Sequence, residues 1–307
     1  MANNQPYRVK TISEFHHLRN LPTPEHPLIS VINVEDMNDF RDDEPHVFVY
    51  DFYFMALKRN CAVKMKYGQQ EYDFDEGTMF FCAPNQVFGI EHDSNNQKEK
   101  KSGWMMLIHP DFLWNTSLAK NIKQYEYFDY SVHEALFLSP KEEAVMNNII
   151  ENIRQEYHSN IDKFSQDIII AQLEVLFNYA DRFYNRQFLT RKITNHQILG
   201  RMEDILTKYF VSDDLIQKGL PTVQHIAESL NVSPNYLSGL LKTLTGQSTQ
   251  QHIHNKLIET AKEKLSTTNL SVSEIAYDLG FEHSQSFSKL FKAKTNSSPM
   301  EFRASFN

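Results

Sequence analysis

Residues 271–295 read SVSEIAYDLGFEHSQSFSKLFKAKT, and residues 222–246 read TVQHIAESLNVSPNYLSGLLKTLTG. The two stretches are copies of one pattern at a spacing of about 49–50 residues, too few copies for a solenoid. Each opens with a short amphipathic helix. Val223, Ile226, Ala227 and Leu230 share one face in the first copy, and Val272, Ile275, Ala276 and Leu279 share one in the second. Thr222 and Ser271 stand where N-caps belong, and Ser271 with Glu274 has capping-box spacing. Each helix stops at a residue that tolerates positive φ, Asn231 in one copy and Gly280 in the other. After a three- or four-residue turn a second helix begins. Ser233-Pro234 reads as its N-cap and first residue in copy one, where Leu237, Leu240, Leu241 and Leu244 recur at helical spacing. Phe287, Leu290 and Phe291 play that part in copy two.

Two short helices, a tight turn at Asn or Gly, and a small Ala at the crossing make a helix-turn-helix. One such unit is a weak signal. Two in register, about 222–245 and 271–295, joined by a helix of roughly residues 252–265, are far more specific.

Upstream the pattern changes. Val47, Val49, Phe52 and Phe54 form an aromatic, β-branched stretch, and Val63, Met65 and Tyr67 alternate with Lys64 and Lys66. Turn signals follow at Gly68-Gln69, Asp75-Glu76-Gly77 and Ala83-Pro84-Asn85, and residues 104–108 (WMMLI) make a fifth strand closed by Pro110. Several short strands with tight turns predict a small barrel or sandwich. Met146, Ile149, Ile150, Ile153 and Tyr157 then predict a helix over 141–158. Ile169, Leu173, Leu176, Phe177, Ala180 and Tyr184 predict another over 166–186. These two helices either form a dimer interface or simply cap the β domain. Polar residues return around Asn185–Thr194, where the domain boundary is placed.

The chain has 307 residues, 41% of them hydrophobic and 23% charged, which suits two soluble globular domains rather than disorder. No apolar run approaches a membrane span, and the N-terminus lacks the apolar core of a secretory signal, so the expected location is the cytoplasm and no membrane partner is expected. The net charge of −8 is unevenly spread. Residues 195–307 hold 11 basic and 11 acidic side chains, whereas residues 1–194 hold 20 and 28. Two segments of different electrostatic character predict two jobs.

Catalytic chemistry is hard to find. His16-His17 has no third ligand in view, and His252 and His254 point to different faces of a helix. The stretch 62–90 contains no His, so the ligand set of a metal-binding cupin is missing. Cys61 and Cys82 read as buried small hydrophobes. The nine glycines form no phosphate-binding loop, and no nucleophile–base or paired-carboxylate arrangement stands out. No metal, no cofactor and no enzymatic activity are expected.

The second copy, with Ile275-Ala276, Gly280-Phe281, the run from Phe287 to Lys292, Ser298-Pro299 and Phe302-Arg303, resembles the AraC/XylS family of bacterial transcription regulators. The likeness covers about residues 196–307, including a preceding helix with Ile198, Met202, Ile205, Leu206 and Tyr209. It implies an AraC-type DNA-binding domain over 195–307 that sets two recognition helices in successive major grooves. Residues 1–190 look, more weakly, like the family's cupin-like effector-binding and dimerisation domain. The fold class expected is therefore α+β: a small N-terminal β-barrel with appended helices, then an all-α double helix-turn-helix domain. The resemblance also implies a homodimer, contact with RNA polymerase, and activation more often than repression. Gly239 departs from the pattern, standing where the family carries a long polar residue; so do Ser286, Asn296 and Ser298.

Residues off the apolar faces of the recognition helices are the candidates for DNA contact. They are Asn235, Ser238 and Lys242 in the first unit, and Ser284, Gln285, Ser288, Lys289 and Lys292 in the second. Gln285 matches an adenine edge and Lys289 the O6/N7 pair of guanine. Asn235 and Ser238 are further base-reading candidates, whereas Lys242, Lys292 and Lys294 suit phosphates. Arg303 is structural by its place in the family motif. The leading reading is a sequence-specific DNA-binding transcription regulator controlled by a small-molecule effector of unspecified identity in the N-terminal domain. A second is a regulator whose N-terminal domain only dimerises or binds a protein partner. A third, a cupin enzyme, lacks its metal ligands.

Overall fold

The computed structural model describes residues 6–38, 47–59, 66–67, 70–71, 77–89, 102–130, 134–159, 164–190, 192–212 and 214–305. The chain divides into two units, residues 1–187 and 188–307.

In the first unit a run of aromatic and branched residues builds the central strand β4 (Tyr53–Arg59). It pairs antiparallel with β7 (Gly77–Cys82) on one side and β9 (Ser102–Ile108) on the other, so Phe54 faces Cys82 and Leu107 across the sheet. With β2 (Ile29–Asn33) beyond β9 and β10 (Leu136–Leu138) beyond β7, the sheet has five strands in the order β10-β7-β4-β9-β2. A second sheet has the order β1-β3-β8, from β1 (Tyr7–Val9), β3 (Val47–Tyr50) and β8 (Val87–Gly89), with β1 parallel to β3. A two-residue pair, β5 (Lys66–Tyr67) and β6 (Gln70–Glu71), completes the described strands.

One apolar core joins the two larger sheets. Val9, Phe48, Tyr50, Phe54, Cys82 and Leu107 bury together, with Phe15 from α1 (Ile12–Leu18) inserted edge-on against Tyr50 and Phe52. The aromatic load thus forms packed interior, through offset and edge-to-face pairs.

The expected α+β class holds, but the barrel does not: among the described residues the strands form separate sheets and no ring closes. The outer edge of β10 shows why. Its backbone is met by side chains of helix α4 (Ser165–Thr190), not by another strand. Gln187 Oε1 accepts from the Phe137 N–H at 2.8 Å, Gln187 Nε2 donates to the Ala135 carbonyl at 3.1 Å, and Arg186 Nη2 donates to the Phe137 carbonyl at 2.7 Å. An edge satisfied in this way has no need of ring closure. The alternation expected over residues 63–65 and the turns at 68–69 and 75–76 lie outside the described residues.

Two long helices come from the periodicity almost as read. After the short α2 (Ser117–Asn121), α3 (Pro140–Tyr157) starts at a full capping box of Ser139 and Glu142 with Pro140 at its first position. Its stripe of Met146, Ile149, Ile150, Ile153 and Tyr157 is buried. The α4 stripe from Ile169 to Tyr184 is buried too, and the helix runs a turn longer than expected, to Thr190. No helix of the described residues is long and apolar enough to cross a membrane.

The second unit is helical throughout: α5 (Lys192–Val211), α6 (Asp214–Lys218), α7 (Val223–Leu230), α8 (Pro234–Thr245), α9 (Thr249–Thr267), α10 (Val272–Asp278), α11 (Ser284–Thr295) and α12 (Pro299–Ala304). Helix α7 packs on α8 and α10 on α11, while α9 runs between the pairs and touches both. Ala227 and Ala276 are fully buried at the two crossings. Asn231 and Gly280 take the left-handed conformation that their positions demand, with φ of 55° and 78°.

Candidate nucleic-acid interface

Each recognition helix is fixed by its buried side and by the bonds at its two ends. For α8 the buried side is Tyr236, Leu237, Leu240 and Leu241, and the start is held by Ser233, whose hydroxyl accepts from the Tyr236 N–H at 3.2 Å. For α11 the buried side is Phe287 and Phe291, in tilted and edge-on ring contacts with Phe281 and Phe302. Its N-cap, His283, makes no side-chain capping bond.

Both recognition helices end in the same joint. The Thr245 hydroxyl donates to the Leu241 carbonyl at 2.8 Å and accepts from the Gln247 N–H, Gly246 turns left-handed, and Ser248 caps α9 in a box with Gln251. Fifty positions on, Thr295 donates to the Phe291 carbonyl at 2.8 Å and accepts from the Ser297 N–H, Asn296 turns left-handed, and Ser298 caps α12 in a box with Glu301. The internal repeat therefore extends beyond each helix-turn-helix into the helix that follows. Asn296 keeps the turn because its short polar side chain tolerates positive φ.

The candidate contact residues divide by burial. Lys242, Gln285, Lys289 and Lys292 are exposed, and Asn235, Ser284 and Ser288 are half-buried. Ser238 differs: its hydroxyl lies 3.1 Å from that of Thr249, the fully buried first residue of α9, so it ties the first recognition helix to the linking helix. Lys294 is exposed on the last turn of α11, beside Lys292. Arg303 donates from Nε to the Leu265 carbonyl at 3.1 Å, binding α12 to the end of α9. Lys264 pairs with Asp278 at 3.1 Å and spans α9 and α10. The cations left at the surface of the recognition helices are thus Lys242 on α8 and Lys289, Lys292 and Lys294 on α11. His283 and Ser286 are exposed beside Gln285, and sequence reasoning passed over His283 because a turn residue belongs to no apolar period.

The two histidines of α9 have separate partners. His252 Nε2 lies 2.9 Å from the Thr245 hydroxyl and His254 Nε2 lies 3.0 Å from the Gln250 amide. Burial lowers the pKa of both; the carboxylate of Glu203 opposes the shift at His252, and the ammonium of Lys294 adds to it at His254. Burial thus favours the neutral form of both rings. Among the described residues no cluster of three His, Cys, Asp or Glu side chains could hold a metal. In the first unit burial pushes the Cys82 thiol up to about 12; Cys61 lies outside the described residues.

Residues 226–305 match the helix-turn-helix domain family. Over 84 residues the chain is 39% identical to the raffinose operon transcriptional regulatory protein RafR of Pediococcus pentosaceus, a match covering 27% of this chain and 30% of that protein. It is 29% identical over 243 residues to the uncharacterized HTH-type transcriptional regulator YfiF of Bacillus subtilis, covering 77% and 72%. Among solved structures, the C-terminal domain of AraT, a response regulator from Geobacillus stearothermophilus, is 33% identical. That match covers 34% of this chain and 84% of the other, at a TM-score of 0.31. The C-terminal part of the chain is thus a helix-turn-helix domain similar to those of DNA-binding transcription regulators, which are not enzymes.

Proposed function

We propose that the protein is a sequence-specific regulator that binds two successive subsites on double-stranded DNA through α8 and α11. Gln285 and Lys289 carry the main base readout. Lys242, Lys292 and Lys294 hold phosphates, and Asn235, Ser284 and Ser288 contribute further polar contacts. The observation that carries this reading is the pair of capped helix-turn-helix units in one domain, each with a buried apolar side and exposed polar residues on its recognition helix. A neutral domain cannot hold DNA by bulk charge, so its affinity rests on these local cations and on two chains acting together on paired sites. Ser238 acts inside the domain, through Thr249, and is assigned no base.

The N-terminal unit then serves as the controlling part, with a small-molecule effector shifting the balance between promoter-competent and incompetent forms, and with activation through RNA polymerase as the output. One observation favours a second reading, in which that unit only dimerises or binds a protein. The aromatic side chains of Phe48, Phe52, Phe54 and Phe81 are buried against their neighbours.

The test is selection of bound fragments from a genomic DNA library by the full-length protein, with the Gln285→Ala/Lys289→Ala double variant alongside. The expected result is one bipartite motif, lost in the variant. No enrichment at low salt, with and without candidate metabolites, would overturn the regulator reading.

A further inference from the structure

Helix α9 is the obvious connection between the two helix-turn-helix units, but a second one exists on the chain's own backbone. Helix α6 ends at Gly219, whose φ is +74° and whose N–H donates to the Leu215 carbonyl at 3.0 Å. Against this end lies Gly280, the turn residue of the second unit, with φ +78°. The approach is so close that a Cβ on Gly280 would fall 2.6 Å from the Leu215 oxygen and 3.0 Å from the Gly219 Cα. The Gly219 carbonyl in turn accepts from the Tyr209 hydroxyl at 3.0 Å, and the Tyr209 ring meets the His225 ring of α7 at 5.5 Å between centroids. Leu215 and Leu279 are buried on either side. A line of contact therefore runs from the first unit's leading helix, through Tyr209 and Gly219, to the second unit's turn, and α9 takes no part in it.

We propose that the Gly219–Gly280 contact is a spacing brace: it fixes the separation of α8 and α11, and with it the separation of DNA subsites that the domain accepts. The inference rests on the reading that both units engage DNA. A single linking helix leaves two attached units able to swing at its ends. A second connection removes that freedom, and at its Gly219–Gly280 end it is backbone against backbone, with no side-chain rotamers with which to adjust. Tyr209, Gly219 and Gly280 are positioning residues here, since none of them lies on a recognition helix.

The test uses the full-length chain and a DNA library in which the two selected subsites are moved apart or together by single base pairs. The wild-type protein is expected to prefer one spacing. Tyr209→Phe keeps the ring but releases the Gly219 carbonyl, and Gly280→Ala forces the two turns apart. Both are expected to lower the preference for the best spacing over its neighbours by about threefold or more, while affinity for a single isolated subsite stays unchanged. If Gly280→Ala fails to fold, Tyr209→Phe carries the comparison. A Tyr209→Phe protein with the wild-type spacing profile, at equal or uniformly reduced affinity, would overturn the brace. A wild-type protein that gains from a second subsite at every spacing alike would also overturn the brace, whereas one that gains nothing from a second subsite at any spacing would overturn the two-subsite reading.

Discussion

The two helix-turn-helix units share one frame and spend it differently. The first is the more firmly knit. Its recognition helix has a side-chain cap at Ser233, a buried tyrosine at Tyr236 and a hydroxyl–hydroxyl bond between Ser238 and Thr249. It offers a single exposed lysine, Lys242, and interrupts its outer face with Gly239. In the second, the recognition helix starts without a side-chain cap and buries only Phe287 and Phe291, yet it exposes Gln285, Lys289, Lys292 and Lys294. Copies of one pattern have thus separated into a unit rich in internal bonds and a unit rich in surface chemistry. Stability and recognition need not be shared equally between repeats.

The largest effect available bears on the shared frame. Phe287→Ala should cost about 3–5 kcal/mol and Leu237→Ala about 2–5 kcal/mol, both read by chemical denaturation. A much smaller cost in one unit would show that the two cores are not equivalent. Next comes the division of recognition. Lys289→Ala should lose about 1–3 kcal/mol on the preferred DNA and relax selectivity at one position, measured by competition binding across single-base variants. Lys242→Ala should weaken all sequences alike and lower the salt slope by about one. Matching profiles for the two lysines would break the contrast.

Smaller changes sharpen it. Ser271→Ala and Ser233→Ala, which remove one cap from each unit, should each cost about 1 kcal/mol in thermal unfolding. Gly239→Ala should stabilise the domain by about 0.5–1 kcal/mol, because a helix-interior glycine gives up more backbone freedom on folding. The smallest effect depends on pH. Backbone and side-chain hydrogen bonds from Ser271 and Ser298 hold the carboxyls of Glu274 and Glu301 below their ordinary pKa. Their contribution is complete above the ordinary carboxyl range and is lost as the pH falls through it. The equivalent partner at the start of α9 is Gln251, which does not titrate. Acidification should therefore loosen the first turns of α10 and α12 before that of α9, as amide exchange would record.

What the sequence made legible follows from how local each feature is. The caps at Thr222, Ser233 and Ser271, and the left-handed turns at Asn231 and Gly280, depend on residues within four positions of each other, and all appear as read. The apolar stripes of α3, α4, α7, α8, α10 and α11 were equally readable, because period alone picks the buried side. Barrel closure was not readable, since it turns on whether the edge of β10 meets a strand or the side chains of Gln187 and Arg186. Nor was the inward role of Ser238, which exists only because α9 begins at Thr249 beside it. The abutment of Gly219 and Gly280 escaped for the same reason: nothing in either neighbourhood points to the other.

The long reach of the N-terminal sheet has a consequence for the order in which the chain acquires structure. Ile29 of β2 finds its partner only at Ile108 of β9, and β7 must wait for Leu136 of β10. Assembly of that sheet means closing long loops before any pairing rewards it, whereas each helix and joint of the C-terminal unit forms from neighbours. The C-terminal unit is thus the part expected to fold more quickly. A chain refolding from denaturant should therefore pass through an interval with a formed C-terminal unit and an unformed N-terminal unit.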